Sequence, residues 1–260
     1  MKNIENRIIV TNVSKEFRIT LYHNKSTLSR FIGLFKKMRK KEIKALKNIS
    51  LKVKPGECIG IIGRNASGKS TLLRVIAGIY CPDRGKVRIN GKIVYLTGFG
   101  QGLQRGLTMR ENIFLSGSLM GLSQKDIKKR FNEIVDFSGL KDYLDSRVYQ
   151  FSSGMLTRLG FSIGIYCLKH QNPDILLLDE VFDSGGDLEF KEKASKKMEE
   201  LIKSGASVIL VSHNFDFIKK YCQKAILLSK GEIVYSGNPK KAVKNYLKID
   251  QLSNKTHISL

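Results

Sequence analysis

Residues 57 to 79 read ECIGIIGRNASGKSTLLRVIAGI. A short continuous apolar run, the pattern of a buried parallel strand, leads into a glycine-containing loop and then into a segment with helical periodicity over about 69–79. Within it, GRNASGKST, Gly63 to Thr71, fits the spacing G-x-x-x-x-G-K-[ST]. Glycines let such a loop curl so that successive backbone N–H groups point inward at phosphate oxygens, and the helix that follows adds the positive end of its dipole. On that chemistry the backbone of Gly63, Arg64, Asn65, Ala66, Ser67, Gly68 and Thr71 surrounds a phosphate chain. Lys69 reaches the β- and γ-phosphates, and the Ser70 hydroxyl is a ligand for Mg²⁺.

A phosphate loop of this kind needs a carboxylate for its metal. ILLLDE, residues 175 to 180, supplies two acids at the end of a second buried run. Asp179, at the strand's carboxyl end, is placed to hold Mg²⁺ through a water, and Glu180 to polarise an attacking water as a general base.

Outward from these runs the chain alternates. Residues 6–19 and 45–53 read as strands, and Pro55-Gly56 turns the chain into the first apolar run. Residues 86–96 read as two strands around Asn90-Gly91, a type I′ hairpin signal. Between about 101 and 170 the character becomes helical. Thr108 with Glu111 and Ser123 with Asp126 are capping-box spacings, and Ile127, Phe131, Ile134 and Val135 keep helical periodicity. From 174 strands and helices alternate again: helices near 187–203 and 215–222, strands at 225–229 and 232–235, then from Pro239 a short helix and a polar tail over 251–260. The pattern is an α/β domain with a helical insertion.

The 260 residues carry 46 Lys and Arg against 23 Asp and Glu, a formal charge of +23. Such a balance favours polyanionic partners without choosing among nucleic acid, lipid headgroups and phosphates. Residues 25 to 54 hold eleven of the basic side chains and one acid, Glu42. Inside that stretch, LSRFIGLFKKMRKK (28–41) places Leu28, Phe31, Ile32, Phe35 and Met38 on one helical face, with Arg30, Lys36, Lys37, Arg39, Lys40 and Lys41 around the rest. A basic amphipathic helix over about 24–44 suits a membrane interface or a membrane protein near headgroups. No apolar run approaches the roughly 20 residues that span a bilayer. MKNIENRIIV has polar residues where a signal peptide needs its apolar core. The four cysteines, Cys58, Cys81, Cys167 and Cys222, have no metal-ligand spacing and read as reduced thiols of a cytosolic protein.

Between the phosphate loop and the carboxylates lies FSSGM, residues 151–155, followed by LTRLGFSIGI, and SVILVSH ends in His213. In this order the motifs resemble those of ABC ATPases, over residues 8 to about 245. FSSGM resembles a variant of that family's signature. Together with LTMRENIFLSG (107–117) and DEV…GDLEF (179–190), it is similar to the ATPases of O-antigen, capsule and teichoic-acid exporters.

The resemblance implies a P-loop NTPase, RecA-like core over about 1–100 and 171–238, with an antiparallel β subdomain and a helical subdomain over about 101–170. It implies ATP as substrate, with Phe17 stacking on adenine and with Ser152, Ser153 and Gly154 offered to the γ-phosphate of ATP held by a second copy of the chain. His213 would contact the γ-phosphate of its own subunit. The family's Q-loop glutamine, a Mg²⁺ and nucleotide contact, maps to Gln101, with Gln104 the alternative in GFGQGLQRG. Ala66 and Ser67 stand where the family usually has Gly-Ala, and DSGGD (183–187) is a shifted form of its D-loop. The function implied is the ATP-hydrolysing subunit of an exporter of lipid-linked polysaccharide, peripheral on the cytoplasmic face of the membrane, with a separately encoded permease. The competing expectations are a soluble ABC protein acting on ribosomes or nucleic acid, against which stands the single cassette, and the ATPase subunit of another importer or exporter.

Overall fold

The computed structural model describes residues 5–20, 40–98, 102–181 and 187–256. Nine strands among them form two sheets. The smaller is antiparallel, in the order β2 (Lys40–Val53), β1 (Ile8–Thr20), β4 (Arg84–Ile89). The larger has the order β5 (Ile93–Thr97), β6 (Ile175–Asp179), β7 (Ser207–Val211), β3 (Cys58–Ile62), β8 (Lys224–Ser229), β9 (Glu232–Gly237). Its pairings are parallel except β8 with β9.

β3, β6 and β7 are buried along their whole length. Period-two alternation therefore sends their side chains into two separate cores. Ile59, Ile61, Ile175, Leu177, Ile209 and Val211 face the antiparallel sheet and helix α1 (Lys69–Ile76). Cys58, Leu176, Leu178, Val208 and Leu210 face the other way. There they meet α4 (Ser153–Gln171), α5 (Leu188–Ile202), α6 (Phe215–Tyr221) and α7 (Pro239–Thr256).

A third core belongs to the helical region, where α2 (Met109–Leu119) and α3 (Gln124–Ser138) pack Met109, Ile113, Ile127 and Ile134 against α4. α4 joins the cores: Leu159, Ile163 and Cys167 point into the helical one, Phe161, Ile165 and Leu168 into the sheet. Both capping signals hold. Thr108 and Glu111 form a full capping box at α2, and Ser123 accepts from the Asp126 N–H at α3.

Three readings of the sequence are corrected. Asn90-Gly91 does not close a hairpin. β4 pairs with β1 and β5 with β6, so the two residues carry the chain from one sheet to the other. Gly91, at φ 126, lies where an added Cβ would stand 2.6 Å from the Asp174 Cβ, and Asp174 accepts the Lys92 N–H. Residues 40–44 of the expected basic helix are strand: Thr20 pairs with Lys40 and Arg18 with Glu42 in an extension of β1 and β2. The rest of that segment, 21–39, lies outside the described residues. The terminal helix is also not short, since α7 runs to Thr256 through the start of the expected tail. The four cysteines are free thiols, and the buried Cys58 and Cys222 sulfurs stand 3.4 Å apart.

Candidate functional site

The carboxyl ends of β3, β6 and β7 bring the motifs together. From β3 the loop of residues 63–68 curls into α1 with Ala66 at φ 61 and Gly68 at φ 106. A Cβ on Gly68 would stand 2.6 Å from the Ala45 carbonyl oxygen, so only glycine admits this approach to β2. The Lys69 ammonium, in a residue only 5% exposed, reaches back across the loop and donates to the Gly63 carbonyl at 2.9 Å and the Arg64 carbonyl at 3.1 Å. One residue on, Ser70 Oγ meets Asp179 Oδ1 at 3.2 Å. A curled loop opening a helix, an ammonium at its mouth and a hydroxyl on a carboxylate fit a polyphosphate with a divalent cation.

The loop also carries an inconsistency. Ser67 Oγ is buried without a hydrogen-bond partner among the described residues. A buried, unsatisfied hydroxyl costs about 1–3 kcal/mol. Ser67→Ala is therefore expected to raise the nucleotide-free melting temperature by about 2–4 °C for each kcal/mol recovered. An unchanged or lower midpoint in a thermal melt would count against it.

Asp179 is 6% exposed, and burial lifts its carboxyl above the ordinary range against the hydrogen bonds that pull it down. The second of these comes from Tyr95, whose hydroxyl donates to Oδ2 at 3.1 Å. Burial and the neighbouring carboxylate push the Tyr95 phenol up to about 12. Glu180 follows at φ 55, its N–H held by the Val211 carbonyl at 2.9 Å. A glutamate in the left-handed region is the kind of strain that accumulates at functional sites. Its Oε1 lies 3.4 Å from His213 Nε2. Asn214 caps α6 immediately after, which fixes the direction of the loop that carries His213.

Phe17 lines an open cavity of about 580 Å³ with Lys44, Ala66, Gly68, Thr71 and Lys230. The Tyr80 ring meets Phe17 edge-on, centroids 5.4 Å apart, and Lys15 stands 5.6 Å from the Phe17 centroid. Ser152, Ser153 and Gly154 open α4: Ser152 is its N-cap and accepts the Met155 N–H. Arg64 of the loop pairs with Asp250 of α7 at 3.4 Å. Asn65 shares the loop with it. Gln101 and residues 183–186 of the shifted D-loop lie outside the described residues. Asp187 caps α5 and pairs with Arg158 of α4 at 3.1 Å. Tyr95 and Arg74 carried no signal in the sequence, since an alternating strand and a helix surface account for both. The parallel register of β5 on β6 is what sets Tyr95 beside Asp179.

Strand, glycine loop and helix, with an acid-ended strand two places along the same sheet, define a P-loop nucleotide-binding protein. The ABC transporter family profile matches residues 46–183, and the chain belongs to that family. It is 41% identical over 211 residues to the teichoic acids export ATP-binding protein TagH of Lactococcus lactis, across 81% of this chain and 44% of that protein. To the O-antigen export system ATP-binding protein RfbB of Klebsiella pneumoniae it is 33% identical, across 91% of this chain and 95% of that one. The chain thus spans nearly the full length of some curated relatives and about half of others, 55% for RfbB of Myxococcus xanthus. A solved dimer of an ATP-binding cassette in a post-hydrolysis state with ADP and Pi shares the fold: TM-score 0.67, 24% identity, 89% of this chain and 98% of that one.

Proposed function

We propose that the chain is the ATP-hydrolysing subunit of an exporter that moves a lipid-linked polysaccharide or related cell-surface polymer across the cytoplasmic membrane. The observation that carries the chemistry is the meeting of Ser70 with Asp179 and of Glu180 with His213 at the mouth of one phosphate loop. The cargo class rests on the relatives, whose names place them in teichoic-acid and O-antigen export.

In this reading Lys69 and the loop's N–H groups hold the triphosphate, and Phe17 carries the adenine. Ser70 and Asp179 hold Mg²⁺, which when bound neutralises charge on the phosphates. Glu180 takes a proton from the attacking water, and His213 orients the γ-phosphate beside it. The N-terminus of α4, with Ser152, Ser153 and Gly154, is offered to ATP on a second copy. Two copies then sandwich two nucleotides and move a separately encoded permease from its cytoplasmic side. No helix among the described residues is long and apolar enough to cross a membrane.

The test is partner capture. Glu180→Gln, trapped with ATP in cells and extracted in mild detergent, is expected to bring down a polytopic membrane protein, with less of it in the Lys69→Ala, Glu180→Gln double variant. Recovery of ribosomes or nucleic acid with no membrane protein would sink the exporter reading.

A further inference from the structure

Tyr95 is the polar side chain at the metal end of the site to which the mechanism above gives no part. On β5 it pairs in register with Leu177, and Thr97 with Asp179. Alternation puts the Tyr95 and Asp179 side chains on the same face of the sheet, one diagonal step apart, a span of about 7–8 Å that a tyrosine bridges. Its hydroxyl reaches Asp179 Oδ2 at 3.1 Å, while Ser70 Oγ meets Oδ1 at 3.2 Å. The two oxygens of one buried carboxylate are thus divided: one is held from β5, the other faces the phosphate loop.

Tyr95 is itself braced. Arg74, one helical turn after Ser70 on α1, lies close enough to interact electrostatically with Tyr95 and reaches the Tyr80 hydroxyl at 3.4 Å. Tyr80 in turn meets Phe17 edge-on. The ring of Tyr95 packs on the core between the larger sheet and α1. An anchor held from two sides limits the rotation of a carboxylate whose terminal torsion is otherwise broad.

We propose that Tyr95 is a positioning residue for the metal-binding carboxylate, fixing Asp179 Oδ2 so that Oδ1 is presented, with Ser70, to a divalent cation. The inference rests on the reading of this site as one for ATP and Mg²⁺. Tyr95 acts through Asp179 Oδ2, so its loss falls on metal affinity and spares the binding of base and phosphates.

The test compares full-length wild type with Tyr95→Phe, which keeps the ring and removes the donor. Binding of a fluorescent ATP analogue is titrated in EDTA and across a Mg²⁺ series, with Mn²⁺ occupancy followed by electron paramagnetic resonance. Hydrogen bonds to a charged group set the scale: the Mg²⁺ and Mn²⁺ concentrations for half-saturation are expected to rise about tenfold. Affinity in EDTA and kcat at saturating Mg²⁺ should stay within about twofold, a split that a merely structural defect would not produce. An unchanged metal requirement, or an equal loss of affinity with and without metal, overturns the proposal. A wild-type protein whose nucleotide binding ignores Mg²⁺ overturns the reading of the site itself, and shows it before any substitution is made.

Discussion

Exchanging Glu180 for glutamine is expected to slow ATP turnover by about two to four orders of magnitude, the usual contribution of a positioned general base, while ATP binding survives. The backbone of Glu180 is committed: φ is 55 and its N–H is bonded to the Val211 carbonyl. Its side chain is 48% exposed and meets His213 at 3.4 Å, so an isosteric amide disturbs little packing. The neighbouring Asp179 is instead buried and tied to Ser70 and Tyr95, a ligand's surroundings. Two adjacent acids are thus divided by strand geometry, one into the core beside the phosphate loop and one toward solvent beside a histidine. Phosphate release under saturating ATP gives kcat, and equilibrium binding of a fluorescent ATP analogue gives Kd. Turnover within about fivefold of wild type would remove Glu180 from the chemistry, since general bases contribute more than that. A Kd raised more than about tenfold would move it into binding, because that is the loss of a charged hydrogen bond.

Much of this was legible in the residues because it is local. A buried run, a glycine loop and a helix start follow from composition and spacing within twenty residues, and 69–79 holds α1, Lys69–Ile76. The N-caps at Thr108 and Ser123 were legible for the same reason, each being a contact across three residues. Asn90-Gly91 misled because turn chemistry does not say which strand is the partner: the choice of β1 for β4 and β6 for β5 is made by cores far away in sequence. Tyr95 and Asp179 are 84 residues apart and meet through a parallel register. Arg64 and Asp250 meet only when α7 folds back toward the loop. The extension of β2 back to Lys40 was hidden because Lys40 and Lys41 read equally as the end of a basic helical face.

Removing the ammonium of Lys69 is expected to abolish nucleotide binding over the accessible range. Charge-assisted hydrogen bonds are worth about 1.5–3 kcal/mol each, so losing two of them weakens ATP by roughly two to four orders of magnitude. Lys69→Ala also removes the ammonium bonds to the Gly63 and Arg64 carbonyls, of which Arg64 still accepts the Ser67 N–H, so stability falls by about 1–2 kcal/mol before any ligand is added. Those two effects separate in one experiment. Wild type gains stability with ATP as RT ln(1 + [L]/Kd), about 2.7 kcal/mol at a hundredfold excess over Kd. The variant is expected to start lower and to gain nothing at the same concentration. A variant that melts lower yet shows the full ATP-dependent rise would mean that Lys69 only braces the loop, its ammonium serving the two carbonyls it already touches. The phosphates would then be held by backbone N–H groups and the helix end alone. The direction of that single difference, rise or no rise, decides whether the most buried cation of the loop is there for the fold or for the ligand.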